Sequence, residues 1–144
     1  MELDIQTVKS FCMAHSVSKG LLFEKRDRYN MNLQALTLTI RKFTQERDWD
    51  QFHNPKDLAV ALGIEVSELQ EITLWTPTGQ SAKKIEEKRE AVEHEVGDIL
   101  IYLLRFCDVT GIDPIEAASN KLRLNAEKYP VHKSKGNSKK YTEL

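Results

Sequence analysis

Residues 55–75 read PKDLAVALGIEVSELQEITLW, and the spacing of their apolar groups decides the fold class. Leu58, Leu62, Leu69 and Ile72 recur at helical intervals, roughly 100° per residue, and so line one face of an α-helix. Asn54 and Pro55 form a cap and first-turn pair at its start, whereas Pro77 and Gly79 stop it. Glu65 falls inside the apolar stripe, with Glu68 one turn on. Residues three apart on a helix share a face, with Cβ atoms about 5–6 Å apart, so the two acids can grip one ion from the same side.

A second pair, Glu95 and Asp98, has the same spacing, and Glu95 lies beside the stripe Val92, Val96, Ile99, Leu103 and Phe106. Isolated buried carboxylates are costly enough to take up a proton, and crowding like charges raises their pKa further. Four inward acids therefore need a cation or a wet cleft. The bland alternative is that Glu68 and Asp98 sit at the edges of their faces and are merely solvated, an ordinary fate in a chain that is 30% charged.

Working outward, Leu33, Leu36, Ile40 and Phe43 predict a helix from Asn32 to about Arg47, with Asn30 or Asn32 as its cap. The polar and aromatic run Asp48-Trp49-Asp50-Gln51-Phe52-His53 predicts a loop. One charged helix is expected from Ser81 to Cys107, solvated in its first half and core in its second. Gly111 closes it. Asp113, Pro114 and Glu116 then stand where a capping box wants them, opening a last helix with the stripe Ile115, Ala118, Leu122, Ala126 and Tyr129. Ile5, Val8 and Cys12 suggest a short helix near the amino terminus, broken by Ser16, Ser18 and Gly20. No strand-like alternation of useful length occurs, so the expected architecture is an all-α four-helix bundle. It divides into a weakly patterned segment 1–30, a helical domain 31–130 and a basic tail 131–144 able to fold over a ligand. Such small bundles often associate to cover apolar surface, and a homo-oligomer is expected.

With 144 residues and 40% hydrophobic content, the chain suffices for one domain with a real core. A net charge of −1 gives no general attraction to a nucleic-acid polymer or to a membrane, and the apolar runs fall far short of the ~20 residues that span a bilayer. The amino terminus lacks a basic region followed by an apolar one, so a cytoplasmic location is expected. Cys12 and Cys107 form no Cys-x-x-Cys motif, and Cys107, near Leu104, Phe106 and Val109, reads as a buried small hydrophobe.

The acidic pairs contain no His or Cys, and hard oxygen ligands suit Mg²⁺, completed by water and phosphate. A di-iron bundle would need Glu-x-x-His, but Cys12, Asp50, Ala91 and Tyr129 stand three residues before the histidines. Magnesium usually shares its shell with substrate phosphates, which favours phosphate chemistry over a structural ion. Trp49 and Trp75 are flat faces for a base or parts of the core, the latter the better reading of Trp75 on composition alone. Lys121 and Asn125, four apart, and Lys140 are candidates for phosphate contact or simply solvated groups.

Glu65-Val66-Ser67-Glu68-Leu69, followed by Glu95-Val96-Gly97-Asp98-Ile99-Leu100-Ile101-Tyr102, resembles the signature of MazG-like all-α nucleoside triphosphate pyrophosphohydrolases. Glu46 to His53, Lys128-Tyr129-Pro130-Val131-His132 and Lys140-Tyr141-Thr142-Glu143-Leu144 resemble the dCTP pyrophosphatase branch, over about residues 31–144. The resemblance implies hydrolysis of a nucleoside triphosphate, dCTP or a modified pyrimidine relative, to monophosphate and pyrophosphate, for control of the nucleotide pool. It implies Mg²⁺ on Glu65, Glu68, Glu95 and Asp98, with the general base unassigned among these catalytic acids. It places Trp49, Asp50, Gln51, Phe52, His53, Trp75 and Tyr102 around base and sugar, and it suggests a tetramer built from dimers. Ile40 departs from the branch, which has a substrate-pocket histidine there, so base preference is open. Two readings from other classes compete: a nucleotide-binding regulatory module with little chemistry, and a helical adaptor that uses the charged helix from Ser81 to Glu95.

Overall fold

Three of the described helices begin where an Asn or Asp side chain takes up orphan amide protons of the first turn. The computed structural model describes residues 31–144; the short helix expected near the amino terminus, with Cys12, lies outside them. Asn32 caps α1 (Leu33–Gln45), its side-chain oxygen accepting from the Ala35 amide at 2.8 Å. Asn54 does the same for α2 (Pro55–Thr73), accepting from Asp57 at 3.0 Å, with Pro55 in the first turn. Asp113 caps α5 (Pro114–Lys128), accepting from the Ile115 and Glu116 amides at 2.8 and 2.9 Å. Asn54 and Asp113 are the caps expected from the sequence, and of the two candidates for α1 it is Asn32 that serves.

Helix α2 ends earlier than the apolar run suggests. Leu74 leaves helical geometry and Trp75 takes φ 64°, the left-handed turn usually given to glycine. A side chain there costs about 1–2 kcal/mol. After a 3₁₀ turn at Thr78–Gln80, the charged helix expected to run unbroken to Cys107 is instead two: α3 (Ser81–Glu87) and α4 (Arg89–Thr110). Lys88 breaks them at φ −112° and ψ 24°. Around it Lys83, Lys84, Glu86, Glu87, Arg89 and Glu90 leave Ile85 as the sole large apolar group, so little core contact holds the backbone in register there. Gly111, at φ 68°, supplies the turn into α5, where the Ile112 amide reaches back to the Cys107 carbonyl at 3.0 Å.

The described chain is all α, with no strand among these residues. It resolves into two compact units, Met1–Phe106, described from residue 31, and Cys107–Leu144. In the first, α1, α2 and α4 each bury one face: Ile40 on α1, Leu58 and Ala61 on α2, and Leu104 on α4. Leu104→Ala is expected to destabilise the protein by roughly 2–5 kcal/mol, read by denaturant unfolding, because the site is closed on all sides.

In the second unit, Cys107 is buried and its thiol is pushed above the ordinary range by burial and then by the Asp113 charge, as suits a small hydrophobe. The tail is not bare. It forms α6 (Val131–Ser134) and a 3₁₀ turn at Tyr141–Glu143. Tyr141 meets Tyr129 edge to face with ring centres 5.9 Å apart, and the Lys128 ammonium lies 5.0 Å over the Tyr141 ring.

The apolar stripes of α4 and α5 are only partly covered, contrary to the reading of the second half of α4 as core. Val96 is 51% exposed and Leu122 71%, and Leu103 and Ile115 are exposed as well. The periodicity marks a face that avoids water without saying whether this chain or another molecule covers it.

Candidate functional site

Helices α2 and α4 bring their acids to one place. Carboxylate oxygens of Glu65, Glu95 and Asp98 lie within 4.8 Å of one another, a set able to hold a metal ion. Glu65 is only 1% exposed, and Glu95 and Asp98 are half-buried. Burial, followed by the charges of Glu68 and Asp98, raises the Glu95 carboxyl above the ordinary range, and His94 offsets this in part. Glu68, one turn after Glu65, therefore acts on the cluster through its charge. Close, desolvated carboxylates are a poor arrangement for an empty site and a good one for a hard divalent cation with oxygen ligands.

The loop between α1 and α2 is a chain of tight turns. Asp48 adopts φ 54°, a left-handed conformation that Asp tolerates better than most residues. Gln51 locks that turn, donating from Nε2 to the Asp48 carbonyl at 2.9 Å and to its carboxylate at 3.0 Å. The Trp49 amide donates to the Thr44 carbonyl at 3.0 Å, and the Phe52 amide to the Trp49 carbonyl at 2.9 Å. The half-buried Trp49 ring sits edge-on to Phe43 at 5.7 Å and 6.4 Å from His53, and Arg47 lies 3.6 Å over the Phe43 ring. Phe52 is half-buried and Asp50 exposed at its edge.

Arg105, on α4 two turns after Asp98, ties this loop down. Only 6% exposed, it donates from Nη2 to Asp50 and from Nε to His53 Nδ1 at 3.2 Å. The Thr44 hydroxyl also donates to Asp50, at 3.1 Å. Neither Arg105 nor Thr44 stood among the residues nominated from the sequence. A signal was present: Arg105 is a full charge between Leu104 and Phe106 in the most apolar part of α4.

Burial, and then the Arg105 charge, lower the His53 pKa below its usual 6.5, with Asp50 opposing. An imidazole whose folded pKa lies under its unfolded one binds protons more weakly in the native state. Its effect on stability is absent well above pH 6.5 and grows unfavourable as pH falls through that value toward the lower folded pKa. The melting temperature is therefore expected to decline on acidification below about pH 6.5, and His53→Gln to flatten that segment of the profile.

Tyr102 is half-buried on α4, one turn beyond Asp98. Trp75 is 92% exposed, so the core reading of this residue fails. Ile40 is buried and offers no polar atom. In the second unit, Lys121 is exposed and Asn125 half-buried on α5, and Lys140 precedes the final 3₁₀ turn.

An all-α chain with carboxylates converging from two helices defines a class, and the model of the MazG-like family matches residues 60–144. The chain belongs to that family. Its curated relatives include dCTP pyrophosphatase 1 of Mus musculus, 42% identical over 106 residues, and that of Homo sapiens, 39% identical over 105. These matches take in 72% of this chain but 62% of each relative's length. A solved structure, a pyrophosphatase from Archaeoglobus fulgidus DSM 4304, superposes with TM-score 0.67 and 43% identity, over 68% of this chain and 92% of that one. Among the described residues, no helix is long and apolar enough to cross a membrane.

Proposed function

We propose that this protein hydrolyses a pyrimidine deoxynucleoside triphosphate, dCTP or a base-modified relative, to the monophosphate and pyrophosphate, and so controls the nucleotide pool. The observation that carries the proposal is the meeting of Glu65, Glu95 and Asp98 within 4.8 Å. The relatives' names, dCTP pyrophosphatase 1 and pyrophosphatase, support the reaction type.

Glu65, Glu68, Glu95 and Asp98 would hold Mg²⁺, for which an all-carboxylate donor set is suited. Bound there, the ion supplies neutralisation of the charge on the triphosphate oxygens. The acids themselves confine the anionic end of the substrate to the cation, since any phosphate displaced from it would face bare carboxylates. At the other end, Trp49 and Trp75 provide stacking surface worth roughly 1–3 kcal/mol per base in nucleic-acid systems. Asp50, Gln51, Phe52, His53 and Tyr102 complete the base and sugar side in this reading. Lys121, Asn125 and Lys140, nominated by their spacing and charge, are the candidates for phosphate contact in this reading. Assembly as a tetramer of paired dimers and a cytoplasmic location belong to the same proposal; exposed apolar groups on α4, such as Val96, support association.

A panel of nucleoside triphosphates with Mg²⁺ and separate detection of pyrophosphate and orthophosphate tests the proposal. Equal yields of dCMP and pyrophosphate are expected from dCTP. Orthophosphate release would mean a different scissile bond, and no turnover of any nucleotide would defeat the enzymatic reading.

A further inference from the structure

We propose that Arg105 is a positioning residue that fixes the Trp49–His53 loop and the ring tautomer of His53, and through them sets how tightly the base end of the substrate is held. The link to substrate rests on the proposed function above; the tautomer does not.

A guanidinium as buried as that of Arg105 needs partners in place, since a buried charge without them is strongly destabilising. Two of its hydrogen bonds go to one short stretch of chain, Nη2 to Asp50 and Nε to His53 Nδ1 at 3.2 Å. Thr44 closes the bracket from α1: its hydroxyl donates to Asp50 at 3.1 Å, and its carbonyl accepts the amides of Arg47 and Trp49 at 3.2 and 3.0 Å. The segment carrying Trp49 is therefore pinned at its entry by backbone bonds and farther along by a fork from α4, the helix that also carries Glu95 and Asp98.

Arginine stays protonated and its Nε can only donate. His53 Nδ1 must therefore be the accepting, unprotonated nitrogen, which leaves the ring proton of the neutral imidazole on Nε2. Burial and the neighbouring guanidinium favour the neutral ring as well. His53 is thus an uncharged donor of fixed sense, a group that suits a carbonyl or ring-nitrogen acceptor on a base rather than a phosphate. No lysine can reproduce the fork, because an ammonium is a single point charge without fixed directions.

The test combines structure and kinetics on the full chain. Long-range ¹H–¹⁵N spectra of histidine-labelled wild type at neutral pH are expected to show His53 with Nε2 protonated and Nδ1 bare. In Arg105→Met both tautomers should be populated. With dCTP and Mg²⁺, Arg105→Met and Arg105→Lys are each expected to raise KM roughly tenfold, the loss of a charge-assisted hydrogen bond, with kcat within about threefold. The Mg²⁺ concentration for half-maximal rate should stay put. A proton on Nδ1 in wild type overturns the proposal, as does a fall in kcat at unchanged KM, or full recovery of KM in Arg105→Lys. Should Arg105→Met fail to fold, Thr44→Val, which removes the buried hydroxyl that also holds Asp50 and lies outside the base and sugar set, is expected to raise KM in the same direction. If no nucleotide is turned over, the wild-type tautomer still decides the positioning claim, and the failure belongs to the substrate reading.

Discussion

Glu65→Gln is expected to cut dCTP turnover by roughly 10³-fold, the scale seen when one preorganised electrostatic group is removed from a reacting centre. The amide keeps the size of the side chain and one acceptor oxygen but removes the charge that would face the cation. Because Glu65 is 1% exposed, water cannot take its place as it could at a rim acid. Without a divalent ion the buried carboxylate is a burden, so the variant in chelator should melt no lower than wild type. Steady-state pyrophosphate release and thermal melting with and without EDTA check both halves. A variant that turns over dCTP at the wild-type rate would remove Glu65 from the site.

Ligand-induced stabilisation has the second large expected effect. Wild type with Mg²⁺ and a non-hydrolysable dCTP analogue at about 100 times its Kd should gain roughly 2.7 kcal/mol by mass action. For a domain of this size that is a rise of roughly 5–10 °C in melting temperature. Mg²⁺ alone should give part of the shift, and EDTA should reverse it. The raised Glu95 carboxyl lends this a direction in pH. Protons compete with a cation for that group, so the Mg²⁺-dependent gain should shrink on acidification through the Glu95 pKa and grow toward neutral pH. Glu95→Gln should abolish most of it. A purely structural adaptor predicts no shift at all, and a regulatory module predicts the shift without turnover, so melting and product analysis together separate the three readings.

Much of the fold is local and therefore legible in order along the chain. Asn32, Asn54 and Asp113 each sit before an apolar period and each caps a helix, because a cap needs only a side-chain oxygen within three residues of free amides. The inward facing of Glu65 follows from its phase relative to Leu58, Leu62 and Leu69, and it is indeed among the most buried side chains. Where neighbouring residues compete with no core to arbitrate, the pattern misleads. The charged run around Lys88 reads as continuous helix, yet the backbone breaks there.

Periodicity and caps are properties of residues within a turn or two of one another, so the amino-acid order alone specified helices α1, α2 and α5, the acids' shared faces and the oxygen-only character of the candidate site. Relations between distant segments needed the folded chain. Only folding brings Glu65 against Glu95 and Asp98 from 30 or more residues away. Only folding ties Arg105 to a loop more than 50 residues earlier, at Asp50 and His53, and leaves Trp75 in water rather than in the core. The reason is physical: a side chain's phase on its own helix sets the direction it faces, while the packing of other helices sets what it meets there.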